Sequence, residues 1–104
     1  MLFQENSKEK ATISITKASI LVGLHPRTLM LYEFEKLVVP YRSPANRRLY
    51  TTTQIKELQF MQFLTRKRGL NYAGIRVIKE MVRKGYEKKI DLLSLVFPEY
   101  VQEL

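Results

Sequence analysis

The chain has 104 residues, enough for one domain with a modest hydrophobic core. It contains no cysteine, which excludes disulfides, thiolate metal sites and thiol redox sensing. Eighteen basic and ten acidic residues give a net charge of +8; residues 1–86 carry +10 and residues 87–104 carry −2. A basic body attracts polyanions, usually nucleic acid, although the same charge also suits a merely solubilising surface.

The sequence has few side chains that could serve in catalysis or metal binding. His25 is the single histidine, the carboxylates do not cluster, and the sequence has no phosphate-binding glycine loop, nucleophile motif or metal-ligand spacing. Its apolar stretches are far shorter than a membrane span, and its polar start lacks the apolar core of a signal peptide. We therefore expect a cytoplasmic protein that is no enzyme, uses no metal or cofactor and does not enter a membrane.

The polar residues 1–11 predict a flexible N-terminal arm ahead of a domain over residues 12–85. The first helix is predicted over 16–22, where apolar residues are dense enough for a short buried helix. Thr16 is its expected N-cap, and Gly23 is its expected left-handed terminator.

A second helix is predicted over 26–35. Pro26 is favoured at the first position of a helix, and Leu29 and Tyr32 recur at helical spacing on an inner face. Two short helices joined by a short turn with a glycine have the spacing of a helix-turn-helix.

A two-stranded wing is predicted over residues 38–50. The β-prone segment 37–41 contains a proline that confines it to a sheet edge, and residues 43–46 fit a type I turn in which Asn46 takes a positive φ. The return strand is expected over 48–50. Three arginines surround this hairpin, namely Arg42, Arg47 and Arg48.

Two longer helices follow the wing. Thr51 and Gln54 form a capping box that starts the third helix, which Gly69 ends after a run of cations. Asn71 is expected to cap a fourth helix that continues to Gly85.

The remaining residues 86–104 are an apolar and acidic tail. A helix is predicted over 87–96, with one more turn after Pro98. Apolar side chains here serve the domain's own core, a dimer interface or the docking of another protein. The residues assigned to dimerisation are Leu92, Leu93, Val96 and Phe97.

The start of the second helix is the predicted DNA-reading element, because this part of a helix-turn-helix enters the major groove. Arg27 is the strongest candidate. A cation at a helix N-terminus interacts unfavourably with the helix dipole, so its presence is better explained by a contact with DNA than by helix stability. Thr28 is either a contact or a surface residue, and His25 caps the helix or contacts DNA. Tyr32 is expected to pack with its ring and reach a phosphate with its hydroxyl. The wing arginines are expected to contact phosphates, unless they only protect a sheet edge.

These residues resemble the MerR family of bacterial transcription regulators. The stretch GLHPRTLMLYEFEKLVVPYRSPANRRLYTTTQI is similar to that family's winged helix-turn-helix pattern, and the resemblance covers about residues 12–84. GLHPRTL together with RGLNYAGIRVI is most similar to the heat-shock repressor branch and next to the glutamine-metabolism regulators. The resemblance implies that Asn46 replaces a wing glycine. The resemblance also implies DNA contacts by five residues, namely Lys17, Thr28, Tyr32, Arg42 and Arg48.

Three departures from the family pattern matter. Met30 replaces an arginine that contacts DNA, which shifts that duty to Arg27. Lys36 replaces the glycine that ends the second helix, so the turn must adopt another geometry or accept strain. Family members pair through a long helix after the fourth, whereas Gly85 and Pro98 interrupt a short tail here.

The sequence as a whole predicts a mostly α, winged helix-turn-helix protein with a two-stranded wing and additional C-terminal helices. Its expected function is sequence-specific recognition of double-stranded DNA by a repressor of transcription, as a homodimer in the bacterial nucleoid. The alternatives are an architectural, excisionase-like protein that bends DNA, and an interaction module that docks a protein partner on the apolar tail.

Overall fold

The computed structural model describes residues 2–3 and 9–102, with only the backbone of the last of these. These residues form six helices and one small antiparallel sheet, which confirms the mostly α, winged helix-turn-helix class. In chain order the elements are β1 (Ile13–Ser14), α1 (Ile15–Val22), α2 (Pro26–Phe34), β2 (Tyr41–Arg42), β3 (Arg48–Tyr50), α3 (Thr52–Arg68), α4 (Tyr72–Glu87), α5 (Leu92–Val96) and α6 (Pro98–Gln102).

Helix α1 begins one residue earlier than predicted. Its N-cap is Ser14 and not Thr16, because the Ser14 hydroxyl accepts a hydrogen bond from the backbone N–H of Lys17 at 3.2 Å. Gly23 ends the helix with a φ of 76°, as predicted. The helix is not buried all round, since 75% of Ile20 is exposed.

The wing hairpin is shorter than predicted, and a third strand completes its sheet. The first wing strand starts only at Tyr41, so the strand predicted over 37–41 is wrong. Leu37 and Val38 enter the core as irregular chain instead, which accounts for their apolar character. The missed strand β1 pairs with β3, so the strand order is β1-β3-β2. A strand of two residues is too short to show an alternating pattern.

The caps of α3 and α4 are those predicted. The Thr51 hydroxyl accepts from the Gln54 N–H, and the Gln54 side chain accepts from the Thr51 N–H, each at 3.0 Å. Gly69 ends α3 with a φ of 67°, and the Asn71 side chain caps α4. These caps depend on residues at most five positions apart, which is why the sequence reveals them.

Gly85 was predicted to end α4, but it lies buried inside the helix. The helix continues to Glu87, so the domain boundary expected at residue 85 falls within a helix. A Cβ at position 85 would come within 2.9 Å of both the Ile90 carbonyl oxygen and the Leu92 Cδ1. Glycine is therefore required for the close approach of the tail and not for a turn.

An aromatic cluster on α3 forms one side of the core. Phe60 is fully buried, with ring centroids at 5.6 Å from Phe97 and 5.2 Å from Tyr100. Leu93 of α5 is also buried, at 6% exposed. Helix α5 is shorter than the tail helix predicted over 87–96, and α6 is the turn predicted after Pro98; both pack on the domain itself.

This packing corrects the dimerisation assignment. Leu93 and Phe97 are covered within their own chain, so they are not available to a second copy or to a docking partner. Leu92 is half-buried against Gly85. Val96, at 48% exposed, is the assigned residue that keeps a large free surface, and its neighbour Leu95 is 70% exposed.

The described residues of the predicted flexible arm are held by α3. Phe3 is buried, and its backbone N–H donates to the buried Glu57 Oε2 at 2.6 Å. Burial raises the pKa of Glu57, against the opposing effect of that hydrogen bond. The Glu9 carboxylate accepts from the Thr53 N–H and hydroxyl at 2.8 and 2.6 Å. Residues 4–8 lie outside the described residues.

Candidate nucleic-acid interface

The helix-turn-helix is built by local capping around His25. Its Nδ1 accepts from the Arg27 N–H at 3.0 Å, which makes His25 the N-cap of α2, and Pro26 follows at the first helical position. Leu29 and Tyr32 are 1% and 3% exposed and fix α2 on the core. The capping role of His25 was one of its two predicted roles, and it sets where the exposed first turn of α2 begins.

The predicted contact residues differ in exposure. Lys17 and Arg27 are exposed on the first turns of α1 and α2. Thr28 is half-buried and lines a concavity of about 280 Å³ together with Tyr32 and Arg66. The structure therefore brings Thr28 next to a cation of α3, a proximity that sequence spacing does not show.

Tyr32 is buried on the inner side of α2. Its ring packs edge-on against Tyr72, with the two ring centroids 5.7 Å apart. Burial raises the pKa of the Tyr32 hydroxyl. The ring therefore lies in the core, and the contact of the hydroxyl with a phosphate stays a prediction.

The wing turn has the predicted geometry. The Asn46 N–H donates to the Ser43 carbonyl at 2.8 Å, and Asn46 has a φ of 64°. Arg47 follows on the exposed tip, and within the described part of the chain its side chain has no ion pair. The tip therefore presents one cation that the protein does not itself neutralise.

The other two wing arginines are held by an acidic residue of α2. The Glu33 carboxylate lies 2.7 Å from the Arg48 Nε and 3.0 Å from the Arg42 Nη2. Burial alone would raise the pKa of Glu33, but the hydrogen bonds and charges of the two arginines outweigh it, so the pKa lies below its ordinary value. Beneath them, burial and then the Glu33 charge raise the pKa of Tyr50 to about 12.

These ion pairs fix the wing beside α2. Glu33 was not among the predicted site residues, because its partners lie 9 and 15 positions away in the sequence. One carboxylate thus orients two guanidinium groups. Arg42 also donates from Nη1 to the Asn46 carbonyl oxygen at 3.2 Å, and the N–H groups that these bonds do not use remain for other acceptors.

The pH dependence of stability tests the Glu33 pairing. A folded pKa below the unfolded one stabilises the fold above the ordinary value of 4.5, and this contribution disappears as pH falls through the folded pKa. Glu33→Gln is expected to lower the free energy of unfolding at pH 7 by up to about 1 kcal/mol and to lower it by less at pH 3, because the carboxyl group is more protonated there. Urea denaturation at both pH values measures this difference.

Glu87→Gln is the matched control, because Glu87 makes a more exposed ion pair with Arg83 on α4. It is expected to leave stability unchanged at either pH. An equal loss for Glu33→Gln at pH 3 and pH 7 would mean that the carboxylate charge is not what stabilises the wing.

Two cations of α4 hold the C-terminal end of α2. The Arg76 guanidinium donates to the Glu35 carbonyl oxygen at 2.8 Å and to its carboxylate at 2.9 Å. Lys79 Nζ donates to the Leu37 carbonyl oxygen at 2.8 Å, and burial lowers the pKa of Lys79. Lys36 has a φ of 61°, a left-handed conformation that is unfavourable for lysine. Of the two predicted alternatives, the turn therefore keeps its geometry and accepts the strain. Carbonyl groups at a helix C-terminus suit such cations.

The basic run at the end of α3 is partly structural. Arg68 forms an ion pair with Glu99 of α6, and its guanidinium lies 5.2 Å from the Phe97 ring centroid. Arg68 therefore helps to hold the tail.

In the part of the chain that the structure describes, no group of three acidic, histidine or cysteine side chains could hold a metal ion. Over the same residues, no helix is long and apolar enough to cross a bilayer.

Comparison with known proteins agrees with this geometry. The profile described as MerR HTH family regulatory protein matches residues 13–87, which span β1 to α4. The chain belongs to the MerR family. It is 36% identical over 77 residues to the heat shock protein HspR of Streptomyces coelicolor, covering 74% of this chain and 51% of that protein. It is 32% identical over 84 residues to the HTH-type transcriptional regulator TnrA of Bacillus subtilis, covering 81% of this chain and 74% of that protein.

The MerR match and these two relatives confirm the predicted family and its heat-shock branch. The chain spans about half the length of HspR, so what HspR does as a whole protein does not transfer directly. The match also ends at the last residue of α4, and the tail that covers Phe60 lies outside it. Family membership therefore accounts for the helix-turn-helix and the wing, and not for α5 and α6.

Proposed function

We propose that this chain is a repressor of transcription that binds specific sites in double-stranded DNA as a homodimer. Helix α2 reads the major groove, and the wing and Lys17 contact the phosphate backbone. The observation that carries the proposal is the pair of ion pairs through which Glu33 holds Arg42 and Arg48 beside α2. Membership in a family of helix-turn-helix regulators supports it further.

The charge of the first turn of α2 agrees with this function. Arg27 is exposed at the positive end of the helix dipole, where a cation destabilises the helix slightly. A long side chain with several donors at this position suits guanine or phosphate. The net charge of +10 on residues 1–86 supplies the general attraction to DNA.

An architectural role in DNA bending is the second candidate. The observation that favours it is the burial of Leu93 and Phe97 within their own chain, which removes them from any dimer interface. Such a protein acts as a monomer with other partners and binds DNA with less dependence on sequence.

Recovery of sheared genomic DNA by the purified chain at about physiological salt, followed by sequencing, separates the two candidates. Enrichment of a few sites that share an inverted repeat is the result expected of a dimeric regulator. Uniform recovery that salt abolishes would overturn the proposed specificity and favour the architectural role. Light scattering of the complex then gives the number of chains per site.

Two arginine variants distinguish base reading from backbone contact. Arg47→Ala is expected to weaken all duplexes about equally and to reduce the slope of log affinity against log salt by roughly one. Arg27→Ala is expected to cost about 1–3 kcal/mol on the selected site and to relax one base position. Fluorescence anisotropy on specific and scrambled duplexes at several salt concentrations measures both.

Arg47 suits this test better than Arg48, because removal of Arg48 also takes one partner from Glu33. If Arg27→Ala keeps the full base preference of the parent chain, Arg27 contacts only phosphate. If Arg47→Ala changes the base preference, the assignment of the wing to the backbone is wrong.

A further inference from the structure

The outer face of α2 is largely apolar. Arg27, Met30, Leu31 and Phe34 recur at three- and four-residue spacing and therefore share one side of the helix, away from the buried Leu29. We call these four residues the outer face. Met30 and Leu31 are 40% and 42% exposed, and Phe34 is 80% exposed. None of the three serves the core, so the fold does not explain them.

The charges around the outer face restrict what can cover it. Its one charged member is the cation Arg27, and the acidic Glu33 on the same helix is neutralised by two wing arginines. A surface that covers this face must therefore supply apolar contacts and negative charge together. Duplex DNA supplies both, because thymine methyl groups project into the major groove between two rows of phosphates.

We infer that Met30, Leu31 and Phe34 read thymine methyl groups, so that the selected site contains T·A pairs beneath the outer face. This inference rests on the proposed function and names the specificity of its reading helix. Apolar side chains form no hydrogen bonds with base edges, and the 5-methyl group of thymine is the apolar feature of those edges in the major groove.

Replacing thymine by uracil in the selected duplex tests the inference. Uracil removes the methyl group alone and keeps the O4 acceptor and the pairing with adenine. We expect uracil at one or more positions to weaken binding of the parent chain about fourfold for each buried methyl group, which corresponds to roughly 0.8 kcal/mol. Phe34→Ala and Met30→Ala are expected to bind more weakly and to lose the uracil effect at their own positions.

Val77→Ala is the matched control, because Val77 is an apolar residue with 58% exposure on α4, outside both the outer face and the tail. It is expected to keep both the affinity and the uracil profile of the parent chain. Circular dichroism checks that the three variants remain folded, which their exposure leads us to expect.

The outcomes distinguish failure of the proposed function from failure of the inference about thymine. If the parent chain selects no common site, the proposed function fails and the inference fails with it. If it selects a site that tolerates uracil at every position, or if Phe34→Ala and Met30→Ala keep the uracil profile unchanged, the inference alone is overturned. In that case the outer face binds something other than thymine methyl groups, such as another protein.

Discussion

Phe60→Ala is expected to lower the free energy of unfolding by about 3–5 kcal/mol, the usual cost of truncating a fully buried aromatic side chain. Phe60 is 0% exposed, and its ring contacts Phe3, Phe63, Phe97 and Tyr100 at centroid distances of 6.0, 6.3, 5.6 and 5.2 Å. A small domain has a total stability of about 5–15 kcal/mol, so this single change removes much of it. Urea denaturation followed by circular dichroism measures the loss.

Phe34→Ala is the matched control for this experiment. It makes the same chemical change on a side chain that is 80% exposed, so it is expected to alter stability by less than about 0.5 kcal/mol. Similar losses for the two variants would show that Phe60 is not the centre of the core.

Deletion of residues 91–104 is expected to abolish cooperative unfolding. The deleted segment contributes Leu93, Phe97 and Tyr100 to the core, and each buried side chain of this kind is worth roughly 1.5–3 kcal/mol. Their sum approaches the whole stability of a small domain. The deletion also exposes Phe60 to water. Differential scanning calorimetry of the shortened chain is expected to show no sharp transition.

Two substitutions on the same segment separate core packing from self-association. Leu95→Ser and Val96→Ser change side chains that are 70% and 48% exposed, so the fold is expected to persist. If the tail also joins two copies, light scattering will show that these variants fall from dimer to monomer. A shortened chain that folds and binds DNA normally would instead contradict the core role and restore the tail as a docking segment.

Local chemistry made a large part of this fold readable from the sequence. Gly23 ends α1, Asn46 turns the wing, and the pair Thr51 and Gln54 starts α3, all as predicted. Each of these features is a hydrogen bond or a backbone angle set by residues within a few positions of one another. The same short motifs, in order and at their spacing, were enough to predict the family.

The errors share a different physical origin. Gly85 was predicted to end a helix, since the sequence cannot show that the Ile90 carbonyl and Leu92 approach its Cα. Leu93 and Phe97 were assigned to a dimer interface, since their apolar character does not reveal which surface covers them. In both cases the deciding contact is made by a neighbour in space, and composition or periodicity gives no information about it.

The sequence by itself determined the helix-turn-helix, its caps, the arginine-rich wing and the basic charge that accompanies them. Only the tertiary structure decided how these parts act together. Glu33 reaches Arg48 across 15 positions, and Lys79 reaches the Leu37 carbonyl across 42. Ion pairs and hydrogen bonds between such distant residues depend on the packed arrangement of α2, α4 and the wing. They therefore exist only once the core has brought these elements together.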